Sequence, residues 1–250
     1  LINPANKFAY LPSEYGDEPL MLARSMKGGF ILVGKNRKEN LEKYYEKIRP
    51  DVVILDDGFQ HLKIQRDLNL LLFDGLMPSS RYFAPPLGYL REGVKAIHDA
   101  DVLLFSRAEY LDQSKFDELM NLFSPHMSAS TDIVKFNYSA KSLQRLGSKE
   151  EYTIDYIAEK NVIPVCAIAS PQAYLSSIKS AGANIVKEYQ FSDHHFYLQS
   201  ELDAIIEESK KHDALIVCTE KDAVKFESLK NYHHLLVLRV DITFLEGEPI

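Results

Sequence analysis

The stretch DVVILDDGFQH, residues 51–61, decides the fold class of this 250-residue chain. Four apolar residues at 52–55 run directly into two adjacent carboxylates, Asp56 and Asp57. A continuous apolar run that ends in charge is typical of a strand buried on both faces of a parallel sheet. The pattern therefore predicts that both carboxylates lie at the carboxyl end of a buried strand, where open α/β sheets bind their ligands.

Two carboxylates at a strand end suit a hard cation, which prefers oxygen ligands. In nucleotide enzymes an acid at this position often holds Mg²⁺ beside phosphates. Neighbouring side chains of a strand point to opposite faces, so Asp56 and Asp57 need not contact one ion. The alternative is that one of them caps the next turn while the other is solvated. His61, which follows closely, could contact a phosphate or be an ordinary surface histidine.

Short apolar strands alternate with helical patterns, which predicts an α/β fold with a doubly wound, mostly parallel sheet. The first half has predicted strands at 30–34, 51–57, 68–75 and 101–107 and predicted helices at 17–27, 36–49 and 112–123. The second half has predicted strands at 132–140, 162–169, 183–189, 214–219 and 234–244 and predicted helices at 171–182 and 199–211. A polar, irregular stretch separates the halves, so we expect a core domain at 1–140 and a smaller α/β domain at 141–250.

Composition excludes several classes of protein. The chain is 46% hydrophobic and 26% charged, as in ordinary globular proteins. Its net charge of −7 argues against general nucleic-acid binding, which needs a basic surface. No run approaches the roughly 18 apolar residues of a transmembrane helix. The only cysteines, Cys166 and Cys218, lie in apolar strand-like runs and are expected to be reduced core residues.

Two further clusters combine a turn with charged side chains. Asp17 and Glu18 follow a glycine and begin a predicted helix. Acids there gain from the helix dipole, which is a purely structural explanation, but Asp17 could also be a general base toward a substrate hydroxyl. Arg91 and Glu92 follow a loop rich in proline, glycine and aromatic residues. They could bind an anionic group, or they could be an exposed pair at a helix start.

The second half contains two more clusters. In FSDHHFY, residues 191–197, Asp193 stands beside His194 and His195. A carboxylate can fix a histidine tautomer and raise its basicity, and no Cys or His cluster supplies the further ligands that zinc would need. Acid–base or phosphate chemistry is therefore favoured over a zinc site. In TEKDAVK, residues 219–225, Thr219 is a credible N-cap, and Lys221 is either a surface residue or an active-site residue.

Taken in order, these segments resemble the tetraacyldisaccharide 4'-kinase (lipid A 4'-kinase) family. The resemblance rests on GDEP, DDGFQH with Arg66 and Asp67, PLGYLRE, FSDHH and TEKDAVK, and it spans almost the whole chain. It implies a P-loop-kinase-like fold and transfer of the γ-phosphate of ATP, with Mg²⁺, to the 4'-hydroxyl of a lipid-linked glucosamine disaccharide. It also implies peripheral contact with the cytoplasmic face of the bacterial inner membrane and a role in lipopolysaccharide biosynthesis. The oligomeric state does not follow from the sequence, and a monomer is favoured.

The resemblance also implies catalytic roles. Asp17 matches the catalytic base of the family, and His194 matches the histidine that assists it. Because these two residues fall in different predicted domains, we expect them to meet only when a cleft between the domains closes and excludes water.

A second set of roles concerns the metal and the nucleotide. Asp56 and Asp57 match the acids that hold Mg²⁺, and Glu18 would lie beside the metal. Three further residues match positions that line the nucleotide and metal region: His61, Arg91 and Glu92.

One family motif does not occur in the chain. The family has a glycine-rich Walker A loop ahead of GDEP, whereas Gly28, Gly29 and Gly34 here lack the G-x-x-x-x-G-K-[ST] spacing. We expect the loop to belong to a missing N-terminal segment, and the chain as given to bind ATP poorly and be inactive. The alternatives are another Mg²⁺-dependent phosphotransferase or NTPase with a soluble acceptor, or a non-catalytic module that binds a lipid or a partner.

Overall fold

The structure, a computed structural model, describes residues 1–3, 9–83, 86 and 88–246. The α-helices of this part are α1 (Pro12–Tyr15), α2 (Asp17–Ser25), α3 (Arg37–Ile48), α4 (Gln113–Phe123), α5 (Pro171–Ser180), α6 (Gln199–His212) and α7 (Glu220–Phe226). The strands are β1 (Leu70–Asp74), β2 (Val102–Ser106), β3 (Asp132–Arg145), β4 (Glu151–Thr153), β5 (Asn161–Cys166), β6 (Asn184–Ile185), β7 (Tyr189–Gln190), β8 (Leu215–Thr219) and β9 (Leu235–Glu246). Among these residues no helix is both long and apolar enough to cross a membrane.

The chain divides into two compact units. The first comprises Leu1–Tyr44 and Ala140–Asp241, and the second comprises Tyr45–Ser139 and Ile242–Ile250. The sequence-based division into 1–140 and 141–250 differs from this one, although a change of unit does fall at Ala140. The physical reason is that α2 packs on α7: Leu20 and Ala23 share a buried cluster with Val224. The segment before α3 therefore belongs with the second half of the chain.

The first unit is built on a parallel arrangement around β5. Strands β6, β7 and β8 each pair with β5 in parallel, and β8 pairs in parallel with β9. Because successive side chains of a strand point to opposite faces, alternate residues enter two separate cores. Ile163 and Val165 pack with α6 and α7 on one face, whereas Val162 and Cys166 pack with α5 on the other. Helices on both faces of a parallel sheet confirm the predicted α/β class.

The second unit places β2 between β1 and the first part of β3, all parallel. One face of this sheet is covered by an aromatic core. Phe73 lies 4.7 Å from Phe123 and 5.4 Å from Phe105, measured between ring centroids. Tyr82 is fully buried in the same cluster and donates a hydrogen bond to the carbonyl of Asp74 at 2.8 Å. These contacts hold the carboxyl end of β1 in place.

The predicted buried strand at 51–57 is wrong. Residues 52–55 have no regular structure, and Asp56 and Asp57 lie in a turn. The side chains of Val52 and Ile54 are 74% and 85% exposed. An apolar run forms a strand only when a neighbour accepts its backbone hydrogen bonds and a second layer covers it. Within the described residues no strand pairs with this segment.

The strand predicted at 30–34 is reduced to a single antiparallel bridge between Ile31 and Ile2. The helices predicted at 17–27, 36–49 and 112–123 are confirmed as α2, α3 and α4. The strand predicted at 183–189 is split into the two short strands β6 and β7. Both cysteines are buried, and burial raises the pKa of Cys166 to about 12 and that of Cys218 well above its ordinary value. The predicted core thiols therefore stay protonated.

The aromatic core gives a stability prediction. Phe123→Ala should lower the free energy of unfolding by about 3–5 kcal/mol, because it opens a cavity among Phe73, Tyr82 and Phe105. The matched control Leu62→Ala removes an exposed side chain and should change stability by no more than about 0.5 kcal/mol. Urea unfolding followed by circular dichroism measures both. Equal effects of the two substitutions would contradict this account of the core.

Candidate active site

Asp17 is the first residue of α2 and follows a sharp turn at Gly16. The φ angle of Gly16 is +89°, a left-handed value that glycine adopts without strain. Asp17 and Glu18 lie in the first turn of α2, where the positive end of the helix dipole favours carboxylates. The Asp17 side chain is 11% exposed. The turn therefore presents a largely buried carboxylate at the start of the helix.

His194 contacts Asp17 within the first unit. Its Nδ1 lies 3.1 Å from Oδ2 and 3.3 Å from Oδ1 of Asp17. His194 follows β7 and has a φ angle of +60°, and its backbone N–H donates to Oδ1 of Asp193 at 3.0 Å. The sequence had assigned Asp17 and His194 to different domains that meet on closure. In the structure they belong to one unit and are already in contact.

Helix α7 adds a lysine to this pair. Thr219 caps the helix by accepting the N–H of Asp222, which sets the first turn at the carboxyl end of β8. Lys221 then projects toward the carboxylates. Its Nζ lies 3.1 Å from Glu18, 3.2 Å from Asp193 and 4.0 Å from Asp17. One ammonium group therefore joins the start of α2 to the loop that carries His194.

A second lysine of α7 lies deeper. Lys225 is one helical turn after Lys221, so both side chains are on the same face of α7. The Nζ of Lys225 lies 2.8 Å from Oδ1 of Asp222 and 3.8 Å from Oδ2 of Asp17. The Lys225 side chain is 1% exposed. Asp17 thus has two cations near it, the fully buried Lys225 and Lys221, whose side chain is 16% exposed.

The charges in this cluster shift the pKa values of Asp193 and Lys221. Partial burial raises the pKa of Asp193, but the hydrogen bond and the positive charge of Lys221 outweigh burial and hold that pKa below its ordinary value. Burial lowers the pKa of Lys221, but hydrogen bonds to Glu18 and Asp193 outweigh it and leave the pKa raised. Both groups are therefore charged at neutral pH, and the cluster keeps its ion pairs there.

The remaining predicted residues belong to the second unit. Asp57 has a φ angle of +49°, in the turn that follows the apolar run. Both of its carboxylate oxygens accept hydrogen bonds from Nη1 of Arg91, each at 2.6 Å. The hydrogen bond and charge of Asp57 raise the pKa of Arg91. Asp57 and Arg91, which were both predicted to lie in the nucleotide and metal region, are therefore in contact. Their sequence neighbours Asp56 and Glu92 are exposed.

The loop after Asp57 is closed by a residue of the same sequence motif. Arg66 donates from Nη1 to the carbonyls of Gly58 and Phe59, at 2.8 and 2.7 Å. His61 donates its backbone N–H to the carbonyl of Gly58. The Nε2 of His61 is buried and has no hydrogen-bond partner within the described part of the chain. A buried nitrogen in this state costs free energy until a polar group reaches it.

The aromatic loop before Arg91 is described in part, because Pro85 and Leu87 lie outside the described residues. Phe83 and Tyr89 expose their rings on the second unit. No helix starts at Arg91 and Glu92, which was the structural alternative for this pair: bends lead instead to a short 3₁₀ helix at Val94–Asp99.

The donor set can be compared with the needs of Mg²⁺. Among the described residues no three His, Cys, Asp or Glu side chains lie together as a ready metal site. Mg²⁺ is commonly held by only one or two carboxylates, with phosphates and water completing its shell. Asp56 and Asp57 are chemically suited to that arrangement, provided that Arg91 shares Asp57. Glu18, the third predicted ligand, contacts Lys221.

No role in the site was predicted for Lys225 or for Asp222, although both lie within the TEKDAVK motif that the sequence singles out. The available signal was their position in the first turns of a helix that directly follows a buried strand, where α/β proteins place functional groups. Lys221 and Lys225 are also four residues apart, which puts both on one side of the helix. Nothing in the sequence, however, distinguishes a buried lysine from a solvated one.

Comparison with known proteins decides the family. A family model described as tetraacyldisaccharide-1-P 4'-kinase matches residues 4–249. The chain belongs to this family. Among its relatives is the tetraacyldisaccharide 4'-kinase of Anaeromyxobacter dehalogenans, which is 30% identical over 97% of this chain and 65% of its own length. The enzyme of the same name from Bdellovibrio bacteriovorus is 31% identical over 87% of this chain and 63% of its own.

A solved structure extends the family likeness to the fold. The crystal structure of LpxK from Aquifex aeolicus, in an "apo" form in complex with ATP, matches with a TM-score of 0.71 at 24% identity. The match covers 94% of this chain and 67% of the Aquifex chain. The chain spans just under two thirds of the curated relatives it matches, 64% in the case of the Halothermothrix orenii kinase. The predicted fold class, an α/β fold similar to that of P-loop kinases, is therefore confirmed.

The Lys221 cluster gives a second prediction. Lys221→Met should raise the pKa of Asp193, because the charge and hydrogen bond that lower it are removed. The lowered pKa of Asp193 stabilises the fold at pH values above the ordinary pKa of a carboxyl group, and this stabilisation is lost as the pH falls through the lowered pKa. In Lys221→Met this stabilisation should be smaller. Carboxyl ¹³C NMR titration measures the pKa, and Lys230→Met, at an exposed lysine, should leave it unchanged. An unaltered Asp193 pKa in Lys221→Met would refute the ion pair.

Proposed function

We propose that the protein is an ATP-dependent kinase that phosphorylates the 4'-hydroxyl of a lipid-linked glucosamine disaccharide, the lipid A precursor of lipopolysaccharide biosynthesis. Support comes from the family and from one observation: the Asp17 carboxylate contacts His194 Nδ1 at 3.1 Å and has two lysines around it. The names of the relatives state the acceptor class, a tetraacylated disaccharide. The Aquifex relative is named as a complex with ATP, which supports ATP as the donor.

Asp17 is the proposed general base. The acceptor hydroxyl oxygen forms a bond to the γ-phosphorus, and the bond from that phosphorus to the β,γ-bridging oxygen of ATP breaks. The hydroxyl proton passes to the Asp17 carboxylate, and ADP leaves with the bridging oxygen. A base near the acceptor and fixed geometry are what this reaction needs most.

His194 and Lys221 are proposed to assist this transfer. His194 contacts both carboxylate oxygens of Asp17 and is accessible at its other face, so it can orient the base and receive the proton from it. Lys221 is tied to Glu18 and Asp193 at the same place. A lysine that turns from these carboxylates toward a phosphate would stabilise the charge that develops on it.

The second unit is proposed to serve the nucleotide and its metal. Mg²⁺ would neutralise phosphate charge and polarise the transferring group. Asp56 and Asp57 would hold it. Three side chains would contact phosphate or metal-bound water: His61, Arg91 and Glu92. Arg91 would do so while Asp57 also binds the metal. The buried Nε2 of His61 suits a polar partner.

We also propose that the protein works as a monomer at the cytoplasmic face of the bacterial inner membrane. Acyl chains hold a tetraacylated substrate in a bilayer, whereas ATP is a cytoplasmic nucleotide, so the enzyme must act where both are present. The exposed aromatic rings of Phe83 and Tyr89 are candidates for peripheral contact with lipid. No nucleic acid is proposed as a partner, since the net charge is −7.

The proposed base gives a direct test with the product of the complete gene. Asp17→Asn should lower kcat by about 10²–10⁴-fold, because it removes the proton acceptor, and should leave the KM for ATP within about threefold. The matched control Glu14→Gln changes an exposed acid one turn earlier and should leave kcat within about twofold. Transfer of ³²P from ATP to the tetraacyldisaccharide 1-phosphate measures both. Phosphorylation of a soluble sugar in place of the lipid would favour a different phosphotransferase.

The metal role has its own test. Asp57→Asn should raise the Mg²⁺ concentration needed for half-maximal activity by about tenfold or more, since one carboxylate ligand becomes a neutral amide. Asp51→Asn, at an exposed acid just before the apolar run, serves as the control and should leave the titration unchanged. If both variants gave the wild-type Mg²⁺ titration, Asp57 would not be a ligand.

A further inference from the structure

The Lys225 ammonium is a buried charge of the first unit. Its side chain is 1% exposed, and its Nζ makes no hydrogen bond of good geometry within the described residues. Removing an ammonium from water costs several kcal/mol even after the protein relaxes around it. An apolar side chain of similar volume would fill the same space at equal or lower cost. The stability of the fold therefore does not by itself account for a charge at this position.

Asp222 fixes one side of this ammonium. Asp222 is fully buried, and its Oδ2 accepts the backbone N–H of Ala167 at 3.0 Å and the hydroxyl of Thr219 at 2.7 Å. Its other oxygen, Oδ1, lies 2.8 Å from Nζ of Lys225. The carboxylate is thus anchored to the end of β5 and to the N-cap of α7. The Lys225 ammonium is therefore also held in place, because it pairs with the anchored carboxylate of Asp222.

Asp17 lies on the other side of the ammonium. Oδ2 of Asp17 is 3.8 Å from Nζ of Lys225 and 3.1 Å from Nδ1 of His194. One carboxylate oxygen therefore faces a cation from the buried side and a histidine, 56% exposed, from the accessible side. Charges interact more strongly in a buried, low-dielectric setting than at the surface. The Lys225 ammonium therefore restrains the direction in which the Asp17 carboxylate points.

We propose that Lys225, anchored by Asp222, is a positioning residue that holds the Asp17 carboxylate in line with His194 for proton transfer from the acceptor hydroxyl. This inference rests on the proposed function. Lys225 does not touch the substrate, because its ammonium is enclosed by protein. It acts through Asp17 alone. Because Lys225 is held in place by α7 and by Asp222 at the end of β5, its charge restrains the position of the Asp17 carboxylate on α2. A misplacement of about 1 Å in a reacting group costs about 10²-fold in rate.

The test must separate positioning from folding. Lys225→Met alone leaves the Asp222 carboxylate buried without its cation, which destabilises the protein. The double variant Asp222→Asn with Lys225→Met removes both charges, while the Asn side-chain oxygen still accepts from Ala167 and Thr219. Asp222→Asn with Lys225→Gln is a second neutral pair of different shape. Thermal unfolding identifies which pair stays folded, and Lys210→Met, at an exposed lysine of α6, is the control.

In the folded neutral pair we expect kcat to fall by about 10–10²-fold, with the KM for ATP within about threefold of wild type. In an Asp17→Asn background the same neutral pair should cause no further loss, since Lys225 would have no base to position. Lys210→Met should leave kcat within about twofold.

Two results would overturn the inference. The first is a folded neutral pair with wild-type kcat, and the second is an equal loss with and without the Asp17 carboxylate. In either case an active wild-type protein leaves the proposed function standing. A wild-type protein that is folded but has no kinase activity overturns the proposed function and this inference together.

Discussion

The carboxylate of Asp17 is the point on which the rest of the first unit depends. The turn at Gly16 puts it at the positive end of α2, and the packing of Leu20 and Ala23 against Val224 brings α7 alongside. This contact between two helices that are distant in sequence creates a nearly buried acid with a histidine and two lysines around it. The chemistry of the site follows from the packing, because neither helix alone holds both the acid and its partners.

The second unit is held together by an aromatic core and by arginine side chains. Its sheet is fixed by stacked aromatic rings on one face, and its loops are fixed by arginines that bind backbone or carboxylate oxygens. Arg66 closes the turn after Asp57, whereas Arg91 binds Asp57 itself. An exposed ion pair such as Asp57 with Arg91 contributes little to stability. Opening of this pair would therefore cost the fold little.

Much of the fold could be predicted from the sequence, because hydrophobic periodicity reports directly on local structure. Helix α2 and the strands β5 and β8 follow their patterns, and the roles inferred for Asp17 and His194 correspond to a real contact. The roles themselves stay predictions. Burial by tertiary neighbours could not be predicted: the apolar run at 52–55 has the composition of a strand, but its side chains are exposed. The same limit explains why Lys225 was missed and why Asp17 and His194 had been placed in different domains.

The activity that we propose for this cluster is transfer of phosphate to one hydroxyl of a lipid disaccharide. The most direct measurement is product analysis after the protein is incubated with ATP, Mg²⁺ and the tetraacyldisaccharide 1-phosphate, with ³¹P–¹H NMR locating the new phosphate. The account predicts a single new phosphomonoester on the 4'-oxygen and one ADP per product. A folded protein that forms ADP without a phosphorylated lipid, or that phosphorylates another hydroxyl, would contradict it.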